Sequence, residues 1–286
     1  MRLKYWKNIV RNVLCTPRPM CYNRPEVIFM TLDRPHARQA FAEYTSHYNA
    51  ADPKVKLKID HTYRVAALCE RIANSLSLPP QDVDLAWLCG LLHDVGRFEQ
   101  LRRYGTFIDA KSIDHALMSV TVLFEEDRLR DYIAGTDEDA LLRTAIRLHN
   151  AYRLPEEMDD RTRMFCKILR DADKIDILRV NVETPMEQIY NVSTEALRQS
   201  PVSPAVLDAF YEHHCVLRTL NHYPADNAVG HASFVFELCY PESLRAVAEQ
   251  GWLWKLLDFK TENPDTAKAF AGMKAEMQRW LEEHAK

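Results

Sequence analysis

Seven glycines in 286 residues leave little room for anything but helices. Tight hairpins and phosphate-cradling loops both need residues that tolerate positive φ, and neither GxGxxG nor GxxxxGK[ST] occurs. Apolar residues instead recur at helical spacing along almost the whole chain. That spacing predicts helices near 34–48, 59–77, 82–94, 113–133, 137–150, 160–180, 185–198, 204–221, 241–258 and 264–284. Several boundaries have a physical cause. Pro79 and Pro80 stop the second helix, and Gln81 and Asp82 open the third. Gly96 stands where a helix ending at His93 and Asp94 would want a left-handed turn, Ser112 is a candidate N-cap for the helix carrying His115, and Pro155 closes the helix ending near 149. The stretch 231–240, HASFVFELCY, reads equally as strand or helix. With no internal repeat or Gly/Ser-rich linker, the expectation is an all-α bundle. An N-terminal arm (1–30) precedes a main helical domain (31–200), and a C-terminal helical extension (201–286) packs on it.

Charge and cysteine usage narrow the function classes. The chain carries 37 basic and 41 acidic side chains, a net charge of −4, and no long basic stripe. An extended nucleic acid is therefore not the expected partner. The apolar run 85–92 is far too short for a bilayer, and the basic N-terminus lacks the uninterrupted apolar stretch of a secretory signal. Tyr5, Trp6, Ile9, Val10, Val13 and Leu14, interleaved with Lys and Arg, fit a short amphipathic helix. It reads as an arm packed on its own domain in preference to one docked on a membrane surface. The seven cysteines form no CxxC. Cys69, Cys89, Cys166, Cys215 and Cys239 lie in apolar or helical segments and read as buried, reduced thiols of a cytoplasmic protein.

Among eleven histidines, His61, His93, His115 and His149 stand out, with Asp94 beside the second and Asp173 in a later acidic helix. The spacings from His61 through His93, His115 and His149 to Asp173 are 32, 22, 34 and 24 residues, each about one helical hairpin. Successive helices can return such side chains to one level of a bundle. Imidazole nitrogens with carboxylate oxygens suit one or two divalent transition ions (Fe, Mn, Ni, Co or Zn) better than Ca. Taken singly, each histidine is more often a surface or satisfied core residue, and a helix-terminal one is often a cap. An unpaired carboxylate after the apolar run 85–92, however, would cost several kcal/mol. A cation offsets that cost.

The ordered set H…HD…H…H…D resembles the HD superfamily of metal-dependent phosphohydrolases. The resemblance is carried by His61 in KIDHTYRVAALCERIA, His93 and Asp94 in LAWLCGLLHDVGRFEQ, and Asp173 in LRDADKIDILRV; His115 in DHALMSV and His149 in AIRLHNAYRLPE extend it to the dinuclear members. The six-ligand pattern is similar to that of bacterial diadenosine tetraphosphate hydrolases and of the HD-GYP phosphodiesterases, whose Gly-Tyr-Pro signature is missing here. From about 35 to 260 the chain looks like bacterial HD proteins with LLHDxGRFEQ, TFxD and DHA motifs. The resemblance implies that residues 31–200 are an HD domain. It selects Asp173 over Asp171 and Asp176, leaving those two to hold ligands or nearby basic residues in place.

It further implies a metal-acidified water attacking a phosphoester or phosphoanhydride of a small phosphorylated molecule, most simply a nucleotide. Asp94 would be shared between two ions, and Arg97 would clamp phosphate with its planar fork. Arg64, one turn from His61, would touch Asp94 or substrate, and Lys58 and Asp109 are placed at the substrate by motif. For Arg97 the ordinary alternative is a salt bridge to Glu99. His213, His214, His222 and His231 read as solvated or capping, and Trp252, Trp254, Phe234 and Phe236 as core. Two other classes stay open: a di-iron oxygenase of the same superfamily, and a non-catalytic sensor of a nucleotide second messenger. The subunit number stays open too, a homodimer included.

Overall fold

The computed structural model describes residues 32–284, so the arm at 1–30 and its amphipathic pattern lie outside the described residues. No strand occurs among the described residues, and the all-α expectation holds. The chain opens with α1 (Arg34–Ser46), α2 (Pro53–Ser75) and α3 (Pro80–Leu92). Asp33 and Asp52 cap the first two helices, accepting from His36 N (3.0 Å) and Lys54 N (2.8 Å), and each helix carries proline in its first turn. α3 is apolar on nearly every face, and 85–92 is wholly buried. It can lie this close to α2 because Gly90 has no side chain: a Cβ there would fall 2.6 Å from the Ala66 Cα.

Beyond His93 the helical path breaks at Asp94 (φ −110°, ψ 14°) and restarts as α4 (Val95–Tyr104), a helix absent from the expected set, which passed from 82–94 to 113–133. The expected left-handed Gly96 is corrected here. It lies inside α4, and its bare face meets the backbone of α5 (His115–Val120), with a Cβ position only 2.6 Å from the Met118 carbonyl carbon. The N-cap of α5 is Asp114, which accepts from Ala116 N at 2.9 Å; Ser112 serves the preceding loop instead. The single helix expected over 113–133 is three pieces. α5 passes into a π-helical turn (Thr121–Glu125), and Asp127 then takes φ +57° before a 3-10 turn (Arg128–Asp131).

α6 (Asp139–Leu148) leads to α7 (Asp160–Glu183), which is capped by Asp159 and forms the spine of the molecule. One face of α7 packs on α2, α3 and α6, and another on C-terminal helices. Those follow as α8 (Met186–Tyr190), α9 (Thr194–Arg198), α10 (Pro204–Tyr211), α11 (Pro224–Ala232), α12 (Pro241–Gln250), α13 (Trp252–Leu257) and α14 (Pro264–His284). The ambiguous HASFVFELCY segment is the end of α11 and a 3-10 turn (Ser233–Glu237). The helices expected at 204–221 and 241–258 are each interrupted by a left-handed residue, His213 (φ +58°) and Gly251 (φ +69°). Asp171 of α7 ties on the C-terminal part: its Oδ2 accepts from Cys239 N (2.8 Å), Tyr240 N (3.2 Å) and Ser243 Oγ (2.7 Å) at the start of α12. Burial, against those donors, pushes the Asp171 carboxyl up to about 6.

The five described cysteines are free thiols. Cys69, Cys89, Cys166 and Cys215 are buried, but Cys239 is exposed, a correction to its expected burial. His231 is also less open than expected, stacked on Tyr190 with ring centroids 5.8 Å apart. No described helix is long and apolar enough to cross a membrane.

Candidate metal centre

The six candidate ligands come from five places in the fold and meet at one. His61 projects from α2, Asp173 from α7, His115 from the first turn of α5, and His149 from the C-terminal cap of α6. His93 and Asp94 occupy the break between α3 and α4. Adjacent helical residues diverge by about 100°, and it is the non-helical backbone of Asp94, not Gly96, that aims both side chains inward.

The cluster divides around the Asp94 carboxylate. Oδ2 lies 3.7 Å from His61 Nε2 and 3.6 Å from His93 Nε2, and Oδ1 lies 3.8 Å from both His115 Nε2 and His149 Nε2. Asp173 Oδ1 completes the first half, 3.1 Å from His61 Nε2 and 3.8 Å from His93 Nε2. Across each half the paired imidazoles approach nitrogen to nitrogen: His61 and His93 at 3.3 Å, His115 and His149 at 3.0 Å.

Each imidazole is held by its other nitrogen. The Nδ1–H groups of His93 and His149 donate to the Gly90 and Ile146 carbonyls at 2.8 and 2.7 Å. Those of His61 and His115 donate to Asp176 Oδ2 and Asp109 Oδ2, both at 2.6 Å. With Nδ1 committed as donor, every neutral ring turns a bare Nε2 lone pair toward the centre. The facing lone pairs of His115 and His149, 3.0 Å apart, repel unless a cation lies between them. Asp94 Oδ1 gives the same reading: Lys58 bonds only the other oxygen, and Oδ1 is buried without a hydrogen-bond partner, an arrangement costly unless that oxygen has a ligand of its own. The donor set therefore fits divalent metal: His61, His93 and Asp94 could hold one ion and Asp94, His115 and His149 another, with Asp173 close to His61 and grouped also with His93 and His149.

The electrostatics agree for His115 and His149 but not for His61, which the metal-free centre holds protonated. Burial pushes His115 and His149 down to about 4, so both are neutral near pH 7. Burial and the Lys58 ammonium push His61 down, but the Asp173 and Asp176 carboxylates carry it up to about 9. Burial raises Asp94, yet Lys58, His93, Arg97 and His115 together hold it well below the usual carboxylate range.

Residues 59–178 match the family model for the HD domain. This chain carries an HD domain. No curated protein and no solved structure matches it in the corresponding searches.

Around the HD centre, access is from the Asp173 side. Asp173 is 14 % exposed, whereas the other five candidate ligand side chains range from 0 to 9 %. Lys58 Nζ sits 2.7 Å from Asp94 Oδ2 and over the Phe107 ring. Arg97 pairs with Asp109 Oδ1 (2.9 Å), Gln100 Oε1 (2.8 Å) and the Phe107 carbonyl (2.7 Å), not with Glu99, which binds Arg102 and Arg103. All three of those bonds use Nη1; the buried Nε has no partner and lies 3.7 Å from Asp94 Oδ1. Arg64 does not reach Asp94. It forks onto Asp176 at 2.6 and 3.0 Å and so supports the acceptor of His61. Asp109 accepts from Arg97 and Gln100 on one oxygen and from His115 on the other.

Sequence reasoning missed two supporting residues. Arg170 binds the carbonyls of Leu148, His149, Ala151 and Tyr152, fixing the turn that carries His149. Gln100 joins α4 to the loop before α5. The spacing of Gln100 from Arg97, one helical turn, was the one signal available for it.

Proposed function

We propose that this chain is a metal-dependent phosphohydrolase that cleaves a phosphoester or phosphoanhydride of a small phosphorylated molecule, a nucleotide in the simplest case. The observation that carries the reading is the pair of orphaned polar atoms in the HD centre. Asp94 Oδ1, an acceptor without a donor, faces Arg97 Nε, a donor without an acceptor, across 3.7 Å. That separation is too long for a hydrogen bond between them. An ion on the Asp94 side and a phosphoryl oxygen on the Arg97 side satisfy both.

Two divalent transition ions held by His61, His93, Asp94, His115, His149 and Asp173 would supply Lewis acidity and acidify a water at neutral pH. The protein groups do the rest. Asp94 presents one oxygen to each half of the centre and fixes their separation. The unpaired edge of the Arg97 guanidinium binds non-bridging phosphoryl oxygens and stabilises charge that grows on them during in-line displacement. Asp109 and the Phe107 carbonyl hold the opposite edge, so that fork is preset. Lys58, poised on Asp94 at the mouth, adds a second cation for the phosphate and a proton donor for the leaving oxygen. Arg64 acts through Asp176 to keep His61 aimed. Lys58 and Arg97 place positive charge beside the Asp94 carboxylate, while the chain as a whole carries −4, which favours a compact phosphorylated ligand over an extended polyanion.

The test is a phosphate-release screen over nucleotides with protein loaded with Mn, Co, Ni or Fe. Metal-dependent release of phosphate or a nucleoside phosphate is the expected result. Oxygen consumption without phosphate release would replace this reading with the oxygenase one. Tight nucleotide binding without turnover would replace it with a sensor.

A further inference from the structure

Gln100 is a fully buried amide between Arg97 and the loop that supports His115. Its Oε1 accepts from Arg97 Nη1 at 2.8 Å. The two hydrogens of its Nε2 are shared among three acceptors, each 2.9 Å away: Asp109 Oδ1, Ser112 Oγ and the Ile113 carbonyl. Those three acceptors all belong to the loop between α4 and α5, and the same loop returns Phe107 O and Asp109 Oδ1 to Arg97. Asp109 then passes the constraint on, since its Oδ2 takes the Nδ1–H of His115 at 2.6 Å. One amide thus touches the residue proposed to hold phosphate. Through a single carboxylate it also touches the residue that would hold the second ion.

We propose that Gln100 is a positioning residue that locks Arg97 and His115 into register through Asp109 and the 106–113 loop. The inference rests on the hydrolase reading above and goes beyond it, because it assigns a shared support to substrate binding and to the second ion position. Both functions of the amide are needed. An apolar side chain takes one of the donors from Asp109, which keeps Arg97 and His115, and removes the amide donor from Ser112 Oγ and the Ile113 carbonyl in a dry interior. A carboxylate keeps the Arg97 contact but sets a like charge against Asp109. The supports of the other half, Asp176 under His61 and Gly90 O under His93, do not involve Gln100. Its loss therefore strikes one ion position and spares the other.

The experiment compares wild type with Gln100→Leu and Gln100→Glu by equilibrium dialysis against Mn(II) alone. It also measures the affinity of the Mn-loaded proteins for inorganic phosphate, and the His115 Nδ1–H resonance of metal-free protein by NMR. Wild type binds two ions. Both variants keep one tight ion, bind the second 10- to 100-fold more weakly, lose about tenfold or more in phosphate affinity, and shift or broaden the His115 proton. Helical circular dichroism stays unchanged. Unaltered second-ion affinity, or a change in only one of the ion and phosphate readouts, overturns the proposal. Unfolding of both variants overturns it as well, since Gln100 would then be purely structural. If wild type itself binds fewer than two ions, the parent reading fails; the His115 resonance, which needs no metal, still decides the role of Gln100.

Discussion

Gly96→Ala tests whether helix spacing sets the metal centre. A Cβ at this position would lie 2.6 Å from the Met118 carbonyl carbon, 2.8 Å from the His115 carbonyl oxygen and closer still to Ser119 N, against 3.4 Å for ordinary contact. All three are backbone atoms, so no rotamer change relieves the overlap. The Gly96 N–H also donates to Ser119 Oγ at 2.9 Å, which fixes the two segments further. α4 and α5 must separate by about 0.8 Å or more, and such overpacking typically costs roughly 1–3 kcal/mol. At about 2–4 °C per kcal/mol for a chain of this size, Tm falls by roughly 2–12 °C. The displacement matters more than the energy. His115 heads α5, and metal–ligand distances tolerate only about 0.2 Å, so the Asp94–His115–His149 position is lost. The His61–His93–Asp94–Asp173 position is built on α2, α3 and α7 and survives. Calorimetry with metal analysis should show a lower Tm and one ion per chain where wild type has two. Two ions at wild-type affinity with an unchanged Tm would refute the reasoning.

Three further outcomes are expected. Asp176→Asn removes the charge beneath His61 Nδ1 and frees Arg64, and should weaken the tighter ion by about 10- to 100-fold in chelator competition. Unchanged affinity would show that Asp176 does not set the ligand. Arg97→Lys keeps the charge and loses the planar fork, so affinity for inorganic phosphate should drop about tenfold, about 1.4 kcal/mol, at constant metal content; equal affinity would remove Arg97 from the phosphate site. Burial, followed by the Arg218 charge, pushes His231 down to about 4. The unfolded chain takes up that proton near pH 6.5. The stability contributed by His231 is therefore complete above pH 6.5 and is lost as pH falls through about 4. His231→Phe, which leaves the Tyr190 hydroxyl its 2.7 Å bond to Asn181, should flatten that part of a Tm–pH curve. Parallel curves for variant and wild type would contradict it.

The helical class was legible because so few glycines and such regular apolar spacing leave one solution. The six side chains that cluster were legible as a set because residue type and order single them out, as with His93 and Asp94 after an apolar run. Breaks within helices were less visible. Asp127 and His213 take positive φ without glycine, so composition gives no warning at either. Gly96 was noticed for the wrong property, since absence of a side chain serves packing in three dimensions as readily as it serves a turn. Arg64 was placed on the correct face, but one turn of α2 brings it to Asp176 and not to Asp94. The support under the ligands was least readable of all. Gln100 and Arg170 act through backbone carbonyls and loop side chains whose positions only the folded chain defines, and Asp171, expected to hold ligands or nearby basic residues, ties on α12 instead.

The most direct test of the whole account is the metal content of purified protein, wild type against Asp94→Ala, after loading with Mn(II) and removal of excess. The account predicts two ions per chain in wild type and none held tightly by the variant, whose helical dichroism is unaltered. An Asp94→Ala protein that keeps wild-type metal content would contradict the claim that these six side chains surround a shared pair of cations.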